Sequence, residues 1–296
     1  MDLIAPNRKS LIPAKADAPP ENRASLVVDS LWDVSERDPR WLLKLIDGAL
    51  ERDQALWEAP RRYFRASGSG EACSRALTLE AMGHRVPFEA RVMRIFRTGN
   101  SIEDVNVAAM KSASVFESGQ DEVSYDDPPI VGHVDCVLKR PGTGERMLGE
   151  IKSIKQELFK MLPAEHGPTL AGESPLRKGM YLRYLKQWNT YAWSPSIDLE
   201  LGFLLFEAKN DQHQKIYWLL RDPALLDDVL GIRREAAPYV EGDPMRVAPV
   251  PPGFNPDDQV KGNACGWCDR RYLCRRLPRG GCGYDEARAE DAKVRG

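Results

Sequence analysis

The sequence contains no run of apolar residues that approaches a membrane span, and its opening, MDLIAPNRKS, carries no apolar core of signal-peptide length. A cytosolic compartment is therefore expected. Positive charge is not in excess either: 42 Lys and Arg stand against 44 Asp and Glu, a formal net charge of −2. That excludes recognition of nucleic acid through an overall attractive field, so such a partner would have to meet a local basic patch or metal ions. Internal repeats are absent, which excludes a solenoid. What is there is 296 residues with 42% hydrophobic, 8% aromatic and 29% charged side chains. That is enough for one large domain or two modest ones with a real core.

Residues 1 to about 25 are rich in Pro, Ala and charge and are expected to form a mobile arm. The spacing of Leu42, Leu43, Ile46, Leu50 and Leu56 predicts a helix over about 39–57, capped by Asp38. ACSRALTLEAMGH reads as a short helix ended by Gly83, and RVMRIFRTGNSIEDVNVAAMKSA as one or two helices. A hairpin at 130–153, a Pro- and Gly-broken loop and a helix at about 179–193 follow. Two strands, LELGFLLFEAK and QKIYWLLR with NDQH as their turn, precede a helix near 223–238 and a Pro-rich passage at 243–256. This order predicts a mixed α/β core with helical additions.

The stretch GHVDCVLKRPGTGERMLGEIKS sets Asp135, Glu150 and Lys152 into strands that should bury Val and Leu. Charges are seldom inside unless they are paired or hold a metal. A turn centred between Gly142 and Thr143 pairs positions whose numbers sum to 285, so Asp135 faces Glu150, and Lys152 shares that face. Pro141 lacks an N–H and favours the four-residue loop Pro141 to Gly144. Like charges opposite each other destabilise a sheet, and a divalent cation between them reverses the sign. A lysine beside such a site suits orienting or deprotonating a water that attacks a phosphodiester. An exposed hairpin face with a loose Glu–Lys pair accounts for the same three residues equally well. One residue inserted in the turn is expected to cost activity before it costs the fold.

QWNTY places Gln187 and Tyr191 on one helical face, either to bury Tyr191 in the core or to serve a site. Asp135, then Glu150-Ile151-Lys152 on the next strand, then Gln187 and Tyr191 on the following helix, resemble the signature of the PD-(D/E)XK nucleases of the RecB type. The resemblance covers roughly residues 61 to 279. It implies a restriction-endonuclease-like α/β core, a mixed central β-sheet flanked by helices, with a helical N-terminal extension and a C-terminal iron–sulfur segment. The corresponding division is 1–60, 61–260 and 261–296. It further implies Mg²⁺ or Mn²⁺ held by Glu103, Asp135, Glu150 and the Ile151 carbonyl. Lys152 would position the attacking water, and Gln187 and Tyr191 would orient the active-site residues or the DNA. Two positions depart from the family pattern. Glu103, four residues after Gly99, replaces a histidine, which makes the site all-oxygen and suits Mg²⁺ at least as well as Mn²⁺. Val134 stands where the name-giving proline would be.

Four of the six cysteines crowd into the last stretch. In a reducing cytosol this points to metal or cluster ligation rather than disulfides. Cys265, Cys268 and Cys274 are three ligands in C-x2-C-x5-C spacing and need a fourth, either Cys282 nearby or the distant Cys73. On spacing alone zinc and iron–sulfur fit alike. RecB-type nucleases with an iron–sulfur cluster, including the CRISPR-associated branch and related phage exonucleases, use one cysteine before the core and three after it. Cys73-Ser74-Arg75 resembles their upstream motif. The resemblance thus implies a [4Fe–4S] cluster on Cys73, Cys265, Cys268 and Cys274, which would fasten the C-terminal end to the start of the core. Cys136 reads as a buried core thiol and Cys282 as a spare.

Arg270, Arg271, Arg275, Arg276 and Arg279 around Tyr272 suit a single-stranded nucleic acid, or are simply a solvated charged helix. Arg65, Arg75, Arg97 and Lys209 are further candidates for phosphate contacts, Lys209 resembling the lysine at a strand end in related phage proteins. His133 reads as structural or as support for a ligand, and His84, His166 and His213 as incidental. The function expected is a metal-dependent exonuclease on DNA ends, often single-stranded, in recombination, repair or spacer processing. Its setting would be the cytosol of a bacterium or a phage-infected host, with a second copy or a recombination or CRISPR protein as further partner, and no membrane. The rivals are an endonuclease on the same site, a non-catalytic DNA-binding subunit with zinc in place of the cluster, and a zinc-stabilised interaction module. Intact Asp135, Glu150 and Lys152 argue against the second; Gln187 and Tyr191 are unexplained by the third.

Overall fold

The computed structural model describes residues 40–52, 54, 57–257 and 264–295. The chain divides into two compact units, Met1–Asp53 and Gln54–Gly296. The described part of the first is one helix, α1 (Trp41–Arg52), shorter than the span its apolar spacing predicts. The expected arm at 1–25, the Asp38 cap and Leu56 lie outside the described residues.

In the second unit β1 (Phe64–Arg65), α2 (Ser74–Ala81) and α3 (Ala90–Ser112) lead into β2 (Phe116–Ser118), β3 (Glu122–Tyr125), β4 (Ile130–His133), β5 (Cys136–Lys139) and β6 (Arg146–Ile154). Then come α4 (Gln156–Lys160), β7 (His166–Leu170), α5 (Leu182–Ala192), β8 (Leu201–Ala208), β9 (Gln214–Leu220) and α6 (Pro223–Glu241). The chain closes with β10 (Arg246–Val247), α7 (Arg271–Cys274), β11 (Cys282–Gly283) and α8 (Tyr284–Arg295). A six-stranded mixed sheet runs in the order β2-β5-β6-β8-β9-β7, beside a three-stranded sheet β1-β4-β3. The outcome is a mixed α/β architecture with a central mixed sheet flanked by helices.

β6 is the axis of the sheet: it pairs antiparallel with β5 and parallel with β8. Its centre, Met147 to Ile151, is buried on both faces, with Met147, Leu148 and Ile151 supplying apolar side chains and Glu150 the buried charge. Strand parity divides the interior in two. Val137, Leu148, Leu204, Phe206, Tyr217 and Leu219 enter the larger core, together with Leu185 and Trp188 of α5. Cys136, Leu138, Met147, Ile151, Phe203 and Leu205 form a smaller core against Val107 and Met110 of α3. The core thiol expected at Cys136 is there, fully buried.

The predicted hairpin is two structures. β5 and β6 pair Cys136 with Gly149 and Val137 with Leu148, the register in which numbers sum to 285. The loop is the wider one, Pro141 to Gly144, closed by Arg140 N–H donating to the Glu145 carbonyl. The preceding residues leave this sheet: β4 pairs with β3 instead, and the chain changes sheets at Val134–Asp135. β2, β3 and β7 are strands the pattern hides. They are short, and β7 (HGPTL) is a mostly exposed edge strand whose Gly167 and Pro168 read as breakers. RVMRIFRTGNSIEDVNVAAMKSA is a single helix of 23 residues. Gly83 ends the short helix region at φ +92°, as expected.

Candidate active site

At the end of β5 and across β6, Asp135, Glu150 and Lys152 share the face that carries the larger core. Asp135 lies immediately before β5, and its Oδ2 accepts a hydrogen bond from the Ile151 N–H at 2.7 Å. Glu150 is completely buried. Its Oε1 accepts from Lys152 Nζ and, at 2.6 Å, from Gln187 Nε2 of α5. Gln187 is also 3.0 Å from the Tyr191 hydroxyl one helical turn on. α5 can supply both because Leu185, Trp188 and Ala192 anchor it in the core, and Trp188 Nε1 donates to the Leu148 carbonyl of β6 at 3.2 Å. Gly132 lets Tyr191 sit close: a Cβ there would lie 3.2 Å from the tyrosine ring and 2.7 Å from the Ala66 methyl.

Glu103 reaches the same site from α3, on the opposite face of the sheet. Its carboxylate accepts from Gln120 Nε2 at 3.3 Å and is electrostatically coupled to Asp135 and Lys152. A cleft beside α3 is lined by Glu103, Asp104, Lys111, Phe116, Gln120 and Asp135 and opens the site to solvent. Gln120 was not foreseen from sequence. Its signal is local: it follows Gly119 in a tight turn and adopts φ +59°.

The electrostatics are those of carboxylates crowded without a counter-ion. Burial, and then the charge of Asp135, push Glu150 up to about 8. Burial likewise raises Asp135, and Glu103 is raised by burial and by Asp135. Lys152 is raised despite burial, because Glu150 and Asp135 hold its charge. Glu150 Oε2 is buried with no hydrogen-bond partner. An orphaned carboxylate oxygen between like charges is a donor set that fits a hard divalent cation. Among the described residues no three His, Cys, Asp or Glu side chains converge closely enough to hold a metal ion as they stand, here or elsewhere.

Cys73, Cys265, Cys268 and Cys274 line one cavity, with Glu71, Arg270 and Arg271 at its wall. All are free thiols. Burial pushes Cys73 up to about 12 and Cys268 up to about 11, so the thiolates need a compensating charge. Arg75 is one such charge. It is fully buried, bonded through Nη1 to the Ala248 and Pro278 carbonyls, and its guanidinium pulls the Cys274 thiol down against burial. Cys282 is absent from this cavity and pairs with Val247 in the β10–β11 ribbon.

Most of the basic residues expected to meet DNA are already engaged. Arg270 faces Glu80 at 3.6 Å, Arg271 donates to the Pro256 carbonyl, and Arg275 and Arg279 pair with Asp257. Lys209 Nζ donates to the Ile95 carbonyl of α3 at 3.0 Å, where Gly99 allows the helix close to Lys209 and Ser153. His133 is exposed on β4. His84, which the sequence left without a role, is fully buried and 2.8 Å from the Tyr272 hydroxyl.

No family model and no curated protein matches the chain. Solved structures similar to it include that of SSO0001, at 13% identity over 79% of this chain and 96% of that one, with a TM-score of 0.41. Another is an alkaline exonuclease, LHK-Exo, from Laribacter hongkongensis, at 12% identity over 68% of this chain and 93% of that one, with a TM-score of 0.41. LHK-Exo in complex with dAMP gives 11% identity and a TM-score of 0.37. At these values the likeness carries no argument, and the functional reading rests on the site itself. Among the described residues no helix is long and apolar enough to cross a membrane.

Proposed function

We propose that this chain is a metal-dependent deoxyribonuclease. The observation that carries the reading is the buried relay Tyr191–Gln187–Glu150–Lys152 with Asp135 beside it. A purely structural salt bridge needs neither a second carboxylate against it nor an orphaned oxygen on the first. Asp135, Glu150, the Ile151 carbonyl and Glu103 would hold Mg²⁺ or Mn²⁺, which when bound offsets charge on the phosphodiester and makes its water acidic. Lys152 stays cationic at neutral pH, so its part is to orient the attacking water and balance developing negative charge rather than to take a proton. Gln187, bonded to both Glu150 and Tyr191, fixes the position of Glu150 Oε1 and leaves Oε2 without a protein partner, free to take an ion. Glu103 would exchange Gln120 for the ion.

The sequence resemblance adds single-stranded DNA ends as the substrate class, and recombination, repair or spacer processing as the setting. It also assigns a [4Fe–4S] cluster to Cys73, Cys265, Cys268 and Cys274. The common cavity and the buried Arg75 support a dianionic metal–thiolate group there, whose role would be to fasten the C-terminal segment to α2. Anaerobic purification with metal analysis and a visible spectrum, followed by cleavage assays with Lys152→Ala, tests both parts. Divalent-metal-dependent cleavage lost in the variant is expected, with iron and a broad visible absorbance. Stoichiometric zinc in a colourless protein would overturn the cluster but not the nuclease.

A further inference from the structure

A group of exposed cations without acidic partners among the described residues lies on α5 and its lead-in, away from the C-terminal arginines. Arg183 is exposed, and it makes no ion pair among the described residues. Its Nη2 donates to the Tyr184 hydroxyl at 2.6 Å, and its guanidinium carbon lies 4.7 Å from the centre of the Tyr184 ring. The same ring faces Lys152, whose Nζ is 5.8 Å from its centre, and packs edge-on against Phe206 at 5.8 Å. Tyr184 stands one helical turn before Gln187, on the same face of α5. The backbone at Gly70 seats the pair: a side chain there would collide with Arg183. Arg177 and Lys178, just before α5, are exposed and likewise without ion pairs among the described residues.

An arginine held against a tyrosine, next to the lysine of the proposed phosphodiester-cleaving site, offers a base-stacking surface and a phosphate donor together. Four of the five C-terminal arginines offer neither, since Glu80, Asp257 and a backbone carbonyl occupy them. Resting on the nuclease reading above, we propose that Arg183 and Tyr184 form the subsite for the nucleotide flanking the scissile phosphate in a single-stranded DNA. The base stacks on the pair, and the neighbouring phosphate replaces the tyrosine hydroxyl as the partner of the guanidinium.

The test is binding of a fluorescein-labelled oligothymidylate, read by anisotropy across a salt series, to full-length Asp135→Asn protein and to the same protein carrying Arg183→Ala, Tyr184→Phe or Arg275→Ala. Arg183→Ala is expected to weaken binding about tenfold, the range for losing one stacked base, and to lower the salt slope by about one. Tyr184→Phe keeps the packing on Phe206 but frees the guanidinium, and is expected to weaken binding less. Arg275→Ala is expected to bind as the parent does. Parent-like binding by Arg183→Ala, equal loss in Arg275→Ala, or no binding by the parent overturns the subsite. In the Asp135-intact protein, absence of cleavage alongside Arg183-dependent binding overturns the nuclease reading and leaves the subsite standing. Cleavage with an Arg183→Ala variant of unchanged KM does the reverse.

Discussion

Raising the pH strips protons from a carboxylate cluster that, without a cation, is reluctant to lose them. Glu150 is held up to about 8 by burial and by Asp135. Its folded-state pKa therefore exceeds its unfolded one. Its contribution to the stability of the metal-free protein is complete below the ordinary glutamate pKa and is lost as pH rises through about 8. A divalent ion bound to the ionised cluster restores what is lost, so the stabilisation it gives grows over that window. One pKa unit is worth about 1.4 kcal/mol, and recovering two of the units on Glu150 gives about 3 kcal/mol. For a folded unit of this size that is about 6–12 °C in Tm. Thermal unfolding followed by circular dichroism, with and without saturating Mg²⁺, measures the difference at each pH. The gain is expected to climb steadily from about pH 5.5 to about pH 8.5, and to disappear in Glu150→Gln. Ordinary carboxylates would be fully ionised by about pH 6. A gain that is complete there, or none at any pH, refutes the reasoning.

Other consequences are equally direct. A glycine inserted between Gly142 and Thr143 is expected to leave cleavage within about twofold, because the register is pinned by buried pairs such as Val137–Leu148 and a one-residue slip would send their side chains into the opposite core. The expectation from sequence is the opposite, activity lost before the fold, and a cleavage assay beside a Tm measurement decides between the two. Gly132→Ala is expected to lower kcat while the protein stays folded, since the new methyl displaces Tyr191 and, through it, Gln187; a comparison of kcat with Tm checks this. Gly149→Ala forces a methyl 2.5 Å from Cys136 Sγ and Phe203, an overpacking that costs about 1–3 kcal/mol by chemical denaturation. Cys268→Ser is expected to release the thiolate-bound metal and lower Tm without removing divalent-metal-dependent turnover from the protein that remains folded, as metal analysis and an activity assay would report.

Strand register and helix-face spacing were the legible part of the site. Asp135, Glu150, Lys152, Gln187 and Tyr191 obey local periods of two and four residues, and the structure brings them together. Glu103 arrives from the other face of the sheet, and Gln120 from a turn, so no local period connects them to Glu150. The sheet change at Val134–Asp135 was hidden because an extended chain keeps its alternation while exchanging partners. Arg270, Arg275 and Arg279 read as part of a free basic patch because the acids that neutralise them lie outside the local stretch, Glu80 far away in sequence and Asp257 at the end of the Pro-rich passage. His84 carried no partner pattern because its partner Tyr272 is 188 residues distant.

The most direct measurement is degradation of an end-labelled single-stranded oligonucleotide by the anaerobically purified protein, with Mg²⁺ or Mn²⁺, with no added divalent ion, and with Asp135→Asn and Lys152→Ala. Turnover that requires the ion and falls by at least about a hundredfold in each variant is predicted, the scale on which removing one electrostatic group from an active site acts. Cleavage that persists without divalent metal, or that survives Lys152→Ala unchanged, would contradict it.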